Sequence, residues 1–405
     1  MARAGVRGIP AGAMWIVAVG VASALHVGKL PPALPVLARE LGVTLVQGGF
    51  LLSLIQLAGM TLGAMLGQVA DRLGPRRVML AGLLVLAVAS AAGALAPTPV
   101  WLLGTRAVEG VGFLMAVLPA PGLIRRLVSQ PTLLARALGW WGAYMPMGAA
   151  LGLLLAPWGY AAWGWRPMWA LLAGVAALSA WVVARQVPAD GPAQGGTAAL
   201  RAAWGGLRQT LAAPGPWLVA LAFGVYSGQW LAVVGFLPTL YTQAGWPLWW
   251  VGSASALAAG VNLVGNIVAG RLLAQGWPVR RLLWLGYGAM AVGALGTFTA
   301  PAPLAYGAVL VFSALGGLVP GTLFALAVRL APSPTTVSTT VGWVQQLSSL
   351  GQFVGPPLVA WWAARVGGWQ WSWLFNAACC ALGGGLAVAL HARWQRAQPA
   401  PQRGG

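Results

Sequence analysis

Four ionisable residues stand inside stretches that are otherwise apolar: His26 and Lys29 in one, Arg106 and Glu109 in another. Each pair is spaced three apart, so on a helix both members share a face. Two cations, a carboxylate and an imidazole can hold an anion: arginine offers a fork that matches planar anions, and lysine a compact point charge. Lys29 and Arg106 outweigh Glu109, and His26 can add a further positive charge, so a bound anion would neutralise the group. Glu109 and His26 are the candidates for carrying a coupled proton, and the residues alone do not choose between them. The same four residues admit a plainer reading. An Arg106–Glu109 or Lys29–Glu109 ion pair would join helices, with Lys29 snorkelling outward and His26 a neutral hydrogen-bonded side chain.

The elements that must position these groups follow from the distribution of charge. The 405 residues hold 23 Lys+Arg but only 4 Asp+Glu, with 59% hydrophobic residues and 24 tryptophans. Soluble domains carry about a quarter charged residues. A bilayer-crossing helix needs about 20 mostly apolar residues, and the chain offers such stretches near 13–37, 45–66, 78–96, 100–124, 135–156, 168–186, 215–240, 248–270, 282–300, 303–328, 338–362 and 371–392. These are numbered helices 1 to 12, an all-α membrane protein. Alternation of apolar and polar residues, which a transmembrane barrel requires, is absent. Arg3 and Arg7 followed by an apolar run ending in Ala22-Ser23-Ala24 resemble a cleavable signal, but the run continues through Pro31, Pro32 and Pro35 in the way the seventh stretch does, and it is kept as helix 1.

Orientation is read from arginine. With the N-terminus inside, eighteen arginines fall on the cytoplasmic side and only Arg39, Arg166 and Arg365 outside, which places both termini in the cytoplasm of an inner-membrane protein. The net charge of +19 is then spread over loop ends facing anionic lipid, not gathered for nucleic acid. Cys379 and Cys380 are adjacent on helix 12 and point in different directions, so they are not expected to bond to each other. Two histidines and four carboxylates cannot assemble a metal cluster of the usual kinds. No nucleophile and base arrangement and no phosphate-binding loop is visible, so neither an enzyme nor a cofactor is expected.

An internal repeat organises the chain at an offset of 203: Pro35 falls on Pro238, Gly42 on Gly245, Gly49 on Gly252, Gly67 on Gly270, Pro75 on Pro278 and Arg77 on Arg280. The expected division is an N-terminal six-helix half (1–186), a Gly/Pro-rich cytoplasmic linker (187–214) and a C-terminal six-helix half (215–405). Paired halves of this kind hold a substrate near the bilayer midplane and alternate its access.

Gly67-Gln68-Val69-Ala70-Asp71-Arg72-Leu73-Gly74-Pro75-Arg76-Arg77, between helices 2 and 3, resembles the signature loop of the major facilitator superfamily. Arg106-Ala107-Val108-Glu109-Gly110-Val111-Gly112 is similar to that superfamily's Arg-x-x-Gln-Gly-x-Gly element, with Glu109 in place of the commoner Gln. Helix 5 carries Gly142, Pro146, Gly148 and Gly152, which only partly matches the pattern of drug antiporters and so weakens an exporter reading. The resemblance implies twelve helices in two pseudo-symmetric halves, with helices 1, 4, 7 and 10 lining a central cavity. It assigns Asp71, Arg72, Gly74, Arg76 and Arg77 to a latch that gates the cytoplasmic side. The plainer alternative is that these arginines only set topology. Ala274 stands where Asp71 would repeat, so the latch is one-sided.

Tyr226-Ser227-Gly228-Gln229-Trp230 on helix 7 and Gly351-Gln352-Phe353-Val354-Gly355-Pro356-Pro357 on helix 11 resemble the cyanate-permease and nitroimidazole-transporter branch. Tyr226, Trp230 and Gln346 join Lys29, Arg106 and His26 as candidate substrate contacts, with Asn262, Asn266, Trp343 and Gln345 as further polar groups; most tryptophans are more simply interfacial anchors. The expected function is alternating-access transport of a small organic or inorganic anion by a monomer, with or without protons. The rivals are proton-coupled efflux of lipophilic drugs and a non-transporting sensor of the same fold.

Overall fold

The computed structural model describes residues 8–61, 63, 74–191 and 197–396, which form helices joined by turns, with no strand among them. Among the described residues, ten helices are long and apolar enough to cross a membrane: Ala11–Leu41, Pro75–Ala94, Pro99–Leu127, Arg136–Trp163, Trp165–Gln186, Pro214–Gln243, Leu248–Ala274, Val279–Thr299, Ala302–Arg329 and Ser372–Gln395. They correspond to expected helices 1, 3 to 10 and 12. Helix 2 is described as Leu45–Thr61, and helix 11 is the 30-residue Val337–Val366. A further helix, Thr197–Ala212, lies in the expected linker.

Prolines interrupt the helices that carry the candidate site. Helix 1 runs Ala11–Gly28 and resumes at Leu30–Leu41, with Lys29 at the joint. Pro31 and Pro32 lack the N–H groups that would bond back across that joint. Helix 1 ends later than expected because Gly42 supplies the left-handed cap, at φ 67°. Helix 4 begins at the Thr98 cap, whose hydroxyl accepts from the Trp101 N–H, with Pro99 in the first position. Arg106 and Glu109 therefore lie two to three turns in. This helix breaks after Val117, before Pro119 and Pro121; helix 7 breaks between Val234 and Leu237, and helix 10 at Gly317. Interrupted helices of this kind are how transporters expose backbone to a cavity.

The 203-residue repeat is visible in backbone geometry as well as in sequence. Of the six described glycines with positive φ, four form two repeat pairs: Gly42 (67°) with Gly245 (73°), and Gly164 (81°) with Gly367 (75°). Packing repeats too. A Cβ on Gly148 of helix 5 would collide with the Val21 carbonyl of helix 1; the counterparts, Gly351 and Gly224, stand in the same relation on helices 11 and 7. Gly152 lies against the backbone of Gly28 and Lys29, and Gly355 against Gly228. Small residues let transmembrane backbones approach this closely.

The chain separates into two compact units. The first comprises Met1–Gln47, Met65–Gly196 and Leu237–Ala256, and the second Gly48–Ala64, Thr197–Phe236 and Leu257–Gly405. In the first, the outer segment of helix 1 packs on Leu237–Gln243, and Trp165 donates to Glu40 at 2.8 Å. In the second, Gln56 of helix 2 donates to Gln352 of helix 11 at 3.0 Å, and Gly49 lies against Pro356 and Pro357. Glu40, Glu109 and Asp190 belong to the first unit, and no described carboxylate belongs to the second.

Candidate functional site

The first unit brings His26, Lys29, Arg106 and Glu109 together in a single buried cluster, each no more than 2% exposed. The break at Lys29 and the Thr98 start of helix 4 set the two pairs face to face. Lys29 Nζ donates to Glu109 Oε1 at 2.6 Å, to Ser90 Oγ of helix 3 at 3.0 Å and to His26 Nδ1 at 3.3 Å. Arg106 Nη1 donates to Glu109 Oε2 at 2.6 Å and to the His26 carbonyl at 2.7 Å. Glu109 therefore makes both of the ion pairs that the residues left open, one through each oxygen. Lys29 does not snorkel: its ammonium lies 4.4 Å over the buried ring of Trp169 on helix 6.

An ammonium only donates, so His26 Nδ1 must accept, and a neutral imidazole then carries its hydrogen on Nε2. That Nε2 is buried without a hydrogen-bond partner. Tyr160 of helix 5 donates its hydroxyl to the Lys29 carbonyl at the break, and Ser90 donates to the Trp169 carbonyl at 3.1 Å. Five helices thus contribute to one polar centre. With His26 neutral, two cations and one carboxylate leave a single positive charge inside the unit.

The second unit gathers a different set. Tyr226 is buried, and its hydroxyl exchanges hydrogen bonds with the Asn262 side-chain amide, Asn262 Nδ2 to Tyr226 Oη being 2.9 Å. Asn262 also donates to the Ser313 carbonyl at 2.8 Å, and Trp230 Nε1 donates to Ser313 Oγ at 3.1 Å. Asn266 joins through the Asn262 side-chain oxygen at 3.1 Å. Gln346 donates to the Met60 carbonyl of helix 2 at 2.8 Å. Trp343 stacks edge-on against Trp217.

Asp71 and Arg72 lie outside the described residues. Gly74, Arg76 and Arg77 are described, and their partner is Asp190. Its carboxylate accepts the backbone N–H groups of Arg76 at 3.2 Å and Arg77 at 3.0 Å, at the start of helix 3, and pairs with Arg126 at 3.1 Å. A carboxylate at a helix N-terminus is favoured by the unsatisfied N–H groups there. Gly74, at φ 95°, has no room for a Cβ beside Asp190. Arg76 further donates to the Ala184 carbonyl at 2.6 Å. Asp190 lies in the stretch expected as linker (187–214), where its rarity, as one of four carboxylates, is the signal that marks it. Ser90, Tyr160 and Trp169 carry no such signal, because serine and aromatics are ordinary in transmembrane helices.

The Cys379 and Cys380 thiols are free, and Cys380 donates weakly to Gln229 Oε1 at 3.3 Å. No metal-holding group of His, Cys, Asp or Glu occurs among the described residues.

Among known proteins, the cyanate transport protein CynX of Escherichia coli is 26% identical over 361 residues, covering 86% of this chain and 88% of its own. The 2-nitroimidazole transporter of the same organism is 26% identical over 330 residues, covering 81% and 82%. The puromycin resistance protein pur8 of Streptomyces alboniger is 38% identical over 123 residues, which is 30% of this chain and 24% of that protein. The fold matches the inward-facing, occupied crystal structure of a bacterial homologue of the human lysosomal transporter Spinster, with TM-score 0.80 over 96% of this chain and 98% of that one at 12% identity. The interrupted helices and repeated packing belong to that twelve-helix architecture. With the family model for the Major Facilitator Superfamily matching residues 14–349, the chain belongs to that superfamily of membrane transporters.

Proposed function

We propose that this transporter moves a small, conjugated monoanion across the inner membrane, with both termini cytoplasmic. The observation that carries the proposal is the Lys29–Glu109–Arg106 clamp: two buried cations hold the two oxygens of one carboxylate at 2.6 Å each. Intramembrane charges are costly and are kept where they bind or move something. The residual positive charge of the cluster favours an anion over a lipophilic cation, since Glu109 is already engaged twice. CynX and the 2-nitroimidazole transporter, similar along most of the chain, handle small conjugated solutes, which supports the same size class here. In this reading Lys29, Arg106 and His26 bind the anion, while Tyr226, Trp230 and Gln346 are further substrate contacts. Glu109 and His26 are the groups available to couple protons, and Asp71, Arg72, Gly74, Arg76 and Arg77, with Asp190, form the gate.

The test is thermal stability of the purified protein across cyanate, nitrate, small carboxylates and lipophilic amines, because a ligand that prefers the folded state raises stability by mass action. Stabilisation by anions, lost in Lys29→Ala and Arg106→Ala, is the expected result. Stabilisation by amines alone would make Glu109 the binding residue and turn the function to drug export. For the gate, Asp71→Asn is expected to slow transport in proteoliposomes while leaving anion affinity intact; normal turnover would remove the latch.

A further inference from the structure

The three ammonium protons of Lys29 have three acceptors, Glu109 Oε1, Ser90 Oγ and His26 Nδ1. None is left for a substrate. Arg106 Nη1 is committed in the same way, to Glu109 Oε2 and the His26 carbonyl. Glu109 places one oxygen on each cation, which is how a planar two-oxygen anion would seat itself. An anion can reach the Lys29 ammonium by hydrogen bond only if a present partner lets go, and of the three only Glu109 bears the charge that an incoming anion can replace.

We infer that Glu109 is a tethered stand-in for the transported anion, and that substrate and Glu109 exchange on the Lys29–Arg106 pair with one proton taken up by Glu109 per monoanion bound. The inference rests on the anion reading proposed above. Charge counting supports it. The resting cluster carries Lys29 and Arg106 against Glu109, a net of +1; with Glu109 protonated and a monoanion bound the net is again +1. The buried charge is unchanged through the cycle, so no step places a second uncompensated charge in a low-dielectric interior. In the exchange, a proton from the aqueous phase forms an O–H bond on a Glu109 carboxyl oxygen, and the anion accepts the hydrogen bonds that Glu109 gives up. Nothing is oxidised or reduced, and release runs the same steps backwards.

Five helices supply the groups that face this cluster. Helix 1 presents His26 and Lys29, helix 4 its own Arg106, helix 3 Ser90, helix 5 the Tyr160 hydroxyl and helix 6 Trp169. Of these, His26 is the group whose ring offers both a donor and an acceptor nitrogen beside Glu109. It already accepts from Lys29 on Nδ1, and its partnerless Nε2 donor is free to join the arriving anion.

Cyanate, formate and nitrate serve as probes, since none changes its own protonation between about pH 5.5 and 8. One linked proton makes wild-type affinity weaken about tenfold per pH unit as pH rises. The expected result is that slope together with uptake of about one proton per bound anion in weakly buffered solution, and binding by Glu109→Gln with neither slope nor uptake. The uptake measurement needs only the wild-type protein, so it stands even if the variant does not fold. Wild-type binding that is independent of pH and takes up no proton would overturn the exchange while leaving anion transport standing. Binding of none of the probes by folded wild-type protein would bring down the anion reading itself, and the exchange with it.

Discussion

At the 203-residue offset the ionic cluster of the first unit has an uncharged counterpart in the second. His26 corresponds to Gln229, Lys29 to Ala232, Arg106 to Val309 and Glu109 to Phe312. His26 and Gln229 are both fully buried, and Gln229 accepts from the Cys380 thiol. The seams around them are alike: Gly148 on Val21 in one unit, Gly351 on Gly224 in the other. Duplication has therefore preserved backbone contact and not chemistry. Packing between helices depends on the absence of side chains, which a repeat retains easily. A buried ion pair survives only as a complete set, because a single member left behind is an uncompensated charge. The second unit meets its polar requirement with neutral groups, through Tyr226, Asn262, Ser313 and Trp230.

The sharpest way to break the comparison is Glu109→Ala. It leaves two cations buried without a counter-charge and is expected to cost roughly 3–5 kcal/mol, read as a fall in unfolding temperature in detergent. Formate added to the variant should recover part of the loss, and no recovery would separate the carboxylate's structural role from any resemblance to substrate. Lys29→Ala comes next. It should weaken anion binding by roughly 100-fold, the scale of removing one partner from a buried charged contact, and unchanged affinity would discard the site.

Gly351→Ala tests the shared seam: crowding a close-packed contact costs about 1–3 kcal/mol, and full stability would mean that the helix 7 and helix 11 backbones can part freely. The smallest effect is expected in the neutral network. Tyr226→Phe removes the hydroxyl's two hydrogen bonds with Asn262, each worth about 1 kcal/mol, and a loss comparable to that of Lys29→Ala would show the second unit to be as stringent as the first.

The sequence made the ionic cluster legible because a charge in an apolar stretch stands out against its neighbours, and spacing by three put each pair on one face. It did not show that Glu109 serves both cations at once, since that depends on how far helix 1 turns at Lys29. Pro31 and Pro32 marked the place but not the angle. Ser90, Tyr160 and Trp169 are composed of residue types that the helices use everywhere, and only tertiary placement distinguishes them. Asp190 was hidden by its setting in a Gly/Pro-rich stretch that reads as linker, although it caps helix 3 beside Gly74. The glycine pairs at 42 and 245, by contrast, were recoverable from spacing, because a left-handed cap leaves few other choices of residue.

The confinement of every carboxylate to residues 1–196 has an energetic corollary. Residues 197–405 hold one histidine, His391, and no acidic side chain, so that length of chain has almost no means of binding or releasing protons near neutrality. If transport draws on a transmembrane pH difference, as proposed, the protons that carry it would have to be taken up and released within residues 1–196.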